Sequence, residues 1–238
     1  MPTAAVVIIG NEILTGKFAD ENGPFLIARL RGLGLDLGRL VVVPDQMTVM
    51  VEELRRATSG FDWVFSTGGV GPTHDDMTFP AVAAAFGVPL VREPVLEKMI
   101  LSKFGDNTAA LRMAEIPAGA ELWWDGEIAW PQVVMRNLVI FPGVPKLVRM
   151  KFDAICHRFS GTPMLTRRIQ TLADESEIAD VLTTAAQRWP SVDIGSYPRF
   201  DERPHRVIVT MEARDSESLA ACAAWLLSHV PGAASAPG

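Results

Sequence analysis

The sequence predicts an α/β fold with a mostly parallel sheet, followed by a small α+β domain. Through the first 160 residues, short apolar runs alternate with amphipathic segments of helical period. This alternation is typical of parallel strands covered by helices on both faces. After a linker at 160–163 the order becomes strand, helix, strand, strand, helix. We therefore expect domains at 1–160 and 164–230, with a disordered tail at 231–238.

The first half of the larger domain contains three predicted strands, each followed by a helix. A buried strand at 6–9 ends at Gly10, and a helix over 22–34 ends at Gly34. A second strand at 40–43 ends at Pro44 and Asp45, after which Thr48 is predicted to cap a helix over 49–58. The third strand, at 62–67, leads directly into a glycine-rich loop.

The remaining elements are predicted from the same patterns. In the larger domain we expect helices at 78–86, 95–104, 108–115 and 146–159, and strands at 121–124, 133–135 and 138–141. A tight turn at Arg136 and Asn137 would make the last two strands an antiparallel hairpin. In the smaller domain we expect strands at 165–172, 192–197 and 207–212, and helices at 175–188 and 218–227.

Composition excludes several classes of function. The 238-residue chain carries a net charge of −6, which argues against duplex nucleic acid as a partner. Its apolar runs are too short to span a membrane, and its first residues lack a signal-peptide pattern, so we expect a cytoplasmic protein. Cys156 and Cys222 are far apart and lie in apolar contexts, which predicts inert core thiols.

The most informative stretch is FSTGGVGPTHDDMT, residues 65–78. Gly68, Gly69 and Gly71 follow the carboxyl end of a predicted strand, where open α/β sheets bind ligands. Because glycines have no side chain, the backbone N–H groups can approach a phosphate. The loop matches neither a P-loop nor a dinucleotide fingerprint, since no Gly-Lys-Ser/Thr follows and the glycine spacing differs.

Two adjacent aspartates, Asp75 and Asp76, would repel a phosphate held by this loop. Either a divalent metal bridges carboxylate and phosphate, or an acid accepts hydrogen bonds from ligand hydroxyls or ring N–H groups. Thr73 and Thr78 add hydroxyls, and Thr78 is a candidate cap for the next helix. The alternative is a plain β–α turn in which one aspartate caps that helix, with His74 facing solvent.

With these residues in view, TGGVGPTHDDMT resembles the signature of the molybdopterin-binding (MoaB/Mog-like) family, and more specifically its CinA-like branch. Further blocks at 8–22, 42–45, 141–152 and 194–200 resemble that branch in the same order. The resemblance implies a three-layer α/β/α domain that binds a nucleotide or pterin phosphate. It also implies a homo-oligomer, either a dimer or a trimer.

The resemblance also implies site residues. Asp76 and Asp45 would be the catalytic residues and would hold a divalent metal, Mg²⁺, Mn²⁺ or Co²⁺. The expected ligand-binding residues are Gly10, Glu12, Asn22, Thr67, Gly68, Gly69, Gly71, Pro72, Thr73, Asp75, Thr78, Pro142, Gly143 and Pro145. Taken singly, Asp45 could be a turn former, Glu12 a solvated loop acid, and 142–145 a strand-to-helix turn.

One segment departs from the CinA-like pattern. Residues 125–137 are more similar to the first domain of eukaryotic FAD synthases, in which a Phe-Pro-Gly-x-Pro turn follows in the same way. The sequence ends before any deamidase or FAD-synthesising domain, so we expect neither deamidation nor FAD synthesis.

Three functional hypotheses follow from the resemblance. The first is a metal-dependent pyrophosphatase that hydrolyses adenine dinucleotides such as ADP-ribose or FAD. The second is a molybdopterin adenylyltransferase of molybdenum cofactor biosynthesis, with molybdopterin as the ligand. The third is a molybdopterin- or nucleotide-binding module without catalysis. For the smaller domain, a packing or oligomerisation role is preferred to a second ligand site.

Overall fold

The computed structural model describes residues 1–126, 129–200 and 205–236. The chain divides into two compact units, Met1–Gly161 and Thr162–Gly238. This division falls inside the predicted linker at 160–163. Within the segment 125–137 that resembles FAD synthases, Glu127 and Ile128 lie outside the described residues.

The first unit is built on a central sheet with the strand order β2-β1-β3-β8-β7-β6. Strands β1, β2, β3 and β8 are parallel, and β7 runs antiparallel to both of its neighbours. A separate antiparallel pair is formed by β4 and β5. The strands are β1 (Thr3–Ile9), β2 (Asp36–Val43), β3 (Trp63–Thr67), β4 (Leu90–Arg92), β5 (Glu115–Pro117), β6 (Glu121–Trp123), β7 (Gln132–Met135) and β8 (Leu138–Phe141). The predicted α/β fold with a mostly parallel sheet is confirmed.

Helices cover both faces of this sheet. They are α1 (Asn11–Leu14), α2 (Asn22–Gly32), α3 (Met47–Gly60), α4 (Thr78–Phe86), α5 (Pro94–Phe104), α6 (Thr108–Leu111) and α7 (Pro145–Ile155). Alternate residues of β1 serve the two faces, because successive side chains of a strand point to opposite sides. Val7 packs in the core beneath α3, α4 and α5, whereas Val6 packs beneath α2 and α7.

Local sequence explains several element ends. Gly34 (φ 82°) ends α2, and the Leu35 N–H donates to the Leu30 carbonyl, as in a Schellman motif. The predicted turn between β7 and β8 is confirmed, since Met135 pairs directly with Leu138.

Three predicted details of the larger domain are wrong. Helix α3 begins at Met47, and the Met50 N–H donates to the Gln46 carbonyl oxygen in its first turn. Thr48 is therefore inside the helix and is not its cap. Thr78 lies inside α4 and not at its cap position, which Met77 occupies. The helix predicted at 108–115 ends early, because the chain passes through a 3₁₀ turn at Arg112–Ala114 and then enters β5.

The second unit is an α+β structure with the predicted order strand, helix, strand, strand, helix. Its elements are β9 (Leu165–Thr171), α8 (Glu175–Arg188), β10 (Asp193–Pro198), β11 (Val207–Ala213), α9 (Ser216–His229) and β12 (Ala234–Ser235). The antiparallel sheet has the order β10-β11-β9-β12. Disorder was expected from residue 231, whereas β12 pairs with β9; residues 237 and 238 lie outside the described residues.

Among the described residues, no helix has the length and apolar character needed to cross a bilayer. Cys156 and Cys222 are free thiols, and burial raises the pKa of Cys222. The expected homo-oligomer and cytoplasmic location stay predictions.

Candidate active site at the carboxyl edge of the sheet

A cleft of about 880 Å³ lies at the carboxyl edge of the central sheet. Four loops line it, and each follows the end of a parallel strand: β1, β2, β3 or β8. In the sheet, β2 pairs with one edge of β1 and β3 pairs with the other edge. After β2, the chain therefore crosses over β1 and continues in the opposite direction across the sheet. This reversal of strand order is a topological switch point, where open α/β sheets bind ligands.

Three glycines of the loop after β3, Gly68, Gly69 and Gly71, bring backbone to the cleft. Gly68 has φ 104°, and a Cβ there would lie 2.0 Å from the carbonyl oxygen of Ile9. In the described part of the chain, the backbone N–H groups of Gly69, Val70 and Gly71 have no hydrogen-bond partner. Consecutive unpaired N–H groups beside a cleft are suited to binding an anion.

Thr78 holds the base of this loop. Its hydroxyl donates to the Gly68 carbonyl oxygen at 2.7 Å, and its N–H donates to the Gly69 carbonyl oxygen at 2.9 Å. The residue is completely buried and does not line the cleft. Thr78 therefore fixes the shape of the loop through contacts within the protein.

Asp76 is held by the loop in front of it. Its Oδ2 accepts hydrogen bonds from the Thr73 N–H (2.8 Å) and the Thr73 hydroxyl (2.5 Å). These bonds differ from the alternative expected from the sequence, in which an aspartate caps α4. Hydrogen bonding within this turn, by Thr73 and by the Asp75 backbone, lowers the pKa of Asp75 from its ordinary value.

Asp45 is held by a different strand end. Its Oδ2 accepts a hydrogen bond of 2.8 Å from the Asn11 N–H. This bond links the loop after β2 to the loop after β1. For both Asp45 and Asp76, one carboxylate oxygen is oriented by backbone while the side chain lines the cleft.

Asn22 joins two further loops. It is 7% exposed, and its Nδ2 donates to the Gly143 carbonyl oxygen at 2.8 Å. Just before it, Asp20 Oδ1 accepts hydrogen bonds from the N–H groups of Asn22 and Gly23. Because a carboxylate already occupies the N-terminus of α2, the glycine loop is the better place for an anionic ligand.

All of the charged side chains that line the cleft, among the described residues, are negatively charged. Six are acidic, and no Lys, Arg or His side chain is among the described residues that line it. The acids are Glu12, Asp20, Glu21, Asp45, Asp75 and Asp76. Glu21 pairs with Arg149 at 3.0 Å, and Asp20 accepts N–H groups at the start of α2. Within the described part of the chain, the other four acids face the cleft without a strong cationic partner.

Most of the residues predicted from the sequence line this cleft. They are Gly10, Glu12, Asn22, Asp45, Thr67, Gly68, Gly69, Gly71, Asp75, Asp76, Pro142, Gly143 and Pro145. Pro72, Thr73 and Thr78 do not line it. His74 faces solvent, as expected, with a 96% exposed side chain.

Sequence reasoning missed the apolar part of the lining. Ile13, Phe18, Val144 and Leu147 line the cleft together with Asp20. Nothing in their local pattern separates these apolar residues from core residues. Asp20 carried a signal that could have been used, because an aspartate close before a helix often accepts hydrogen bonds from the first N–H groups, as Asp20 does here.

Comparisons with known proteins agree with this geometry. The sequence model of the family described as "Probable molybdopterin binding domain" matches residues 5–166, and that of "FAD synthase, middle domain" matches residues 163–237. A protein of Archaeoglobus fulgidus is 32% identical over 218 residues, which cover 90% of this chain and 92% of that protein. A "Probable FAD synthase" of Caenorhabditis briggsae is 33% identical and covers 92% of this chain. This chain spans only 48% of that relative's length.

A solved structure supports the same assignment. The crystal structure of the protein CinA from Thermoplasma acidophilum is 31% identical, with a TM-score of 0.62, over 67% of this chain and 99% of that one. The family model covers more than half of the chain, and the ordered motifs meet at one cleft. The chain therefore belongs to the molybdopterin-binding domain family, within its CinA-like branch.

Proposed function

We propose that the cleft binds the diphosphate of an adenine dinucleotide, such as ADP-ribose or FAD, and hydrolyses the pyrophosphate bond with the help of a divalent cation. One observation carries the proposal: unpartnered backbone N–H groups and acidic side chains line the same cleft. The N–H groups favour an anion and the acids favour a cation. A diphosphate with its cation satisfies both.

The acidic lining is the reason to include the cation. A diphosphate in this cleft meets no basic side chain among the described lining residues, so its charge would be opposed by Asp45 and Asp76. In the described part of the chain, no three His, Cys, Asp or Glu side chains are grouped to hold a metal. Two carboxylates suit Mg²⁺, which usually takes one or two carboxylates and completes its shell with phosphate oxygens and water.

The donor set consists of hard carboxylate oxygens, and Mn²⁺ and Co²⁺ are the other candidate ions. Asp45 and Asp76 would hold the ion, with their orientation fixed by the N–H groups of Asn11 and Thr73. When bound, a divalent ion supplies Lewis-acid stabilisation to the phosphoryl group.

The glycine loop performs the other part of the proposed reaction. Its N–H groups from Gly69 to Gly71 would donate to phosphoryl oxygens as negative charge develops on them. The oxygen of water bonds to one phosphorus while the bond to the bridging oxygen breaks, and the protons of the water are released to solvent. ADP-ribose would yield AMP and ribose 5-phosphate, and FAD would yield AMP and FMN.

The family description supports a second candidate. A molybdopterin-binding domain matches residues 5–166, so adenylyl transfer to molybdopterin would use the same loop and acids to form a pyrophosphate bond. The FAD synthase relative supports a flavin nucleotide instead. Binding of either ligand without turnover is the third candidate.

One assay separates these candidates. Purified protein is incubated with ADP-ribose, FAD or NAD in the presence of Mg²⁺, Mn²⁺ or Co²⁺, and AMP is measured by chromatography. We expect AMP release that falls about 100-fold in Asp76→Asn, the order seen when an electrostatic contact to a transition state is lost. The matched control is Asp106→Asn, which changes an exposed acid that does not line the cleft.

Each alternative has its own outcome. Nucleotide binding without AMP would favour the binding module. In a parallel incubation with ATP, consumption of ATP only when molybdopterin is added would favour the transferase. Equal AMP release by the wild type and Asp76→Asn would refute the proposed role of this acid.

A further inference from the structure

The cleft has an apolar rim, which we define as Ile13, Phe18, Val144 and Leu147. Phe18 is 61% exposed and Val144 is 55% exposed, and both line a cleft whose charged side chains are all acidic among the described residues. Exposed apolar side chains scattered over a surface need no explanation, but a group of them beside a ligand cleft does.

Hydrogen bonds fix the two loops that carry the apolar rim. The Phe18 N–H donates to the Glu12 carbonyl oxygen at 3.1 Å, which fixes the backbone of the loop after β1. That loop ends at Asn22, which donates to the carbonyl oxygen of Gly143, the residue before Val144. The two halves of the rim therefore lie on loops that are joined to each other, and Phe18 stays 61% exposed with Lys17 Nζ 5.9 Å from its ring centroid.

We propose that Phe18 is the platform on which the planar aromatic ring of the nucleotide stacks. This rests on the proposed function, because the diphosphate of the same ligand would lie on the glycine-loop N–H groups. An aromatic ring offers its flat face to a base, and stacking of this kind tolerates different bases because each has a π face. Adenine and flavin rings both qualify.

The charge of the cleft narrows the chemistry of that ring. Glu12 lies on the same loop as Phe18, and its carboxylate lines the cleft. Carboxylates accept hydrogen bonds and repel anions. An uncharged heteroaromatic ring therefore meets no repulsion from Glu12, whereas an anionic ring would.

The chain supplies a matched control for Phe18. Phe104 is also exposed (46%), and it too follows a lysine whose Nζ lies over its ring, at 5.3 Å compared with 5.9 Å for Lys17 and Phe18. Phe104 does not line the cleft. A general effect of removing an exposed phenylalanine would appear at both positions, whereas an effect on ligand stacking would appear only at Phe18.

The test uses the full chain and a fluorescent probe, 1,N⁶-etheno-ADP, with Mg²⁺ present. Its dissociation constant is measured by fluorescence for the wild type, Phe18→Leu, Phe18→Tyr and Phe104→Leu. We expect Phe18→Leu to weaken binding on the order of 10-fold, in line with the loss of one base–aromatic stack. Phe18→Tyr should stay within about 2-fold of the wild type because the ring is kept. Phe104→Leu should have no effect.

Two further measurements make the result specific. Inorganic pyrophosphate, which has no ring, is titrated calorimetrically and should bind the wild type and Phe18→Leu equally. Light scattering after gel filtration reports whether Phe18→Leu changes the oligomeric state. Unchanged etheno-ADP affinity in Phe18→Leu would overturn the proposal. So would a change of oligomeric state with equal weakening of etheno-ADP and pyrophosphate, because the rim would then be an interface between copies.

The stacking proposal for Phe18 and the proposed pyrophosphatase activity can each fail independently of the other. Ring-dependent binding without any AMP release from dinucleotides would uphold the stacking platform and refute the pyrophosphatase. AMP release from FAD and ADP-ribose with identical KM in the wild type and Phe18→Leu would do the reverse.

Discussion

The Asn22 side-chain amide donates to the Gly143 carbonyl oxygen at 2.8 Å, and Gly143 in turn lies against Gly68. A Cβ on Gly143 would be 3.4 Å from the Gly68 Cα. The loops after β1, β3 and β8 therefore meet at one point beneath the cleft. The positions of the unpaired N–H groups at Gly69, Val70 and Gly71 depend on this junction, so its loss should affect stability and the proposed binding.

We expect Asn22→Ala to lower the free energy of unfolding by about 0.5–1.5 kcal/mol, because a partly buried hydrogen bond to the Gly143 carbonyl is lost. Asn22→Asp keeps the shape but replaces the donor with an acceptor, and it should be at least as destabilising. Urea unfolding of the three proteins measures this. An Asn22→Asp variant as stable as the wild type would contradict the role given to this hydrogen bond.

Gly68→Ala should be strongly destabilising. The residue has φ 104°, and the added methyl group would meet the Ile9 carbonyl oxygen at 2.0 Å, a backbone atom that cannot move without shifting β1. We expect a loss on the order of 3 kcal/mol. The control is Gly32→Ala, whose methyl group would meet nothing within 4 Å and which lies in α2. This change should raise stability by about 0.5–1 kcal/mol. If Gly68→Ala and Gly32→Ala unfold at the same temperature, a side chain at position 68 does not strain the loop backbone.

The strands and the glycine loop could be predicted from the sequence because their constraints are local. A continuous apolar run such as β1, with Val6 and Val7 both buried, has to lie between two layers whatever the rest of the chain does. The backbone has positive φ at Gly68 and Gly69, a conformation that favours glycine. The presence of glycine in the sequence therefore indicates this conformation without any knowledge of the fold. Their position after a strand then places them at the edge of the sheet.

The missed features depend on distant parts of the chain. Thr78 has the residue type of a cap, but its hydroxyl is used by the Gly68 carbonyl, which only the folded loop brings near. Phe18 has the residue type of a core position and is 61% exposed. The strand at Ala234–Ser235 exists because the edge of β9 is available to pair with it. Such outcomes follow from tertiary contacts and leave no local pattern.

Lys151 should make stability depend on pH. Its Nζ donates to the carbonyl oxygens of Trp130 (3.0 Å) and Pro131 (2.7 Å), and burial lowers its pKa from 10.5 to about 8. Between these two values the unfolded chain binds more protons than the folded one, so the free energy of unfolding should rise with pH across this window. The full rise attributable to Lys151 is about 3 kcal/mol.

The comparison that isolates this effect is urea unfolding at pH 7.5, 9 and 10.5 for the wild type, Lys151→Met and the exposed control Lys98→Met. Lys151→Met should show a flatter pH dependence than the other two, because its side chain has no proton to release. The same slope in all three proteins would mean that Lys151 does not titrate in this window.

Asp45→Asn should alter the dependence on metal while leaving the fold intact. The asparagine oxygen can still accept the 2.8 Å hydrogen bond from the Asn11 N–H, so stability should change by less than about 0.5 kcal/mol. The negative charge is lost, however, and a cation shared between Asp45 and the ligand phosphates would be held more weakly. We expect the Mg²⁺ concentration that gives half-maximal AMP release, or half-maximal etheno-ADP binding, to rise about 10-fold or more, the weakening that corresponds to roughly 1.4 kcal/mol. Asp106→Asn should leave it unchanged. If Asp45 is only a turn former, the amide will serve as well as the acid, and the Mg²⁺ titrations of the wild type and Asp45→Asn will coincide.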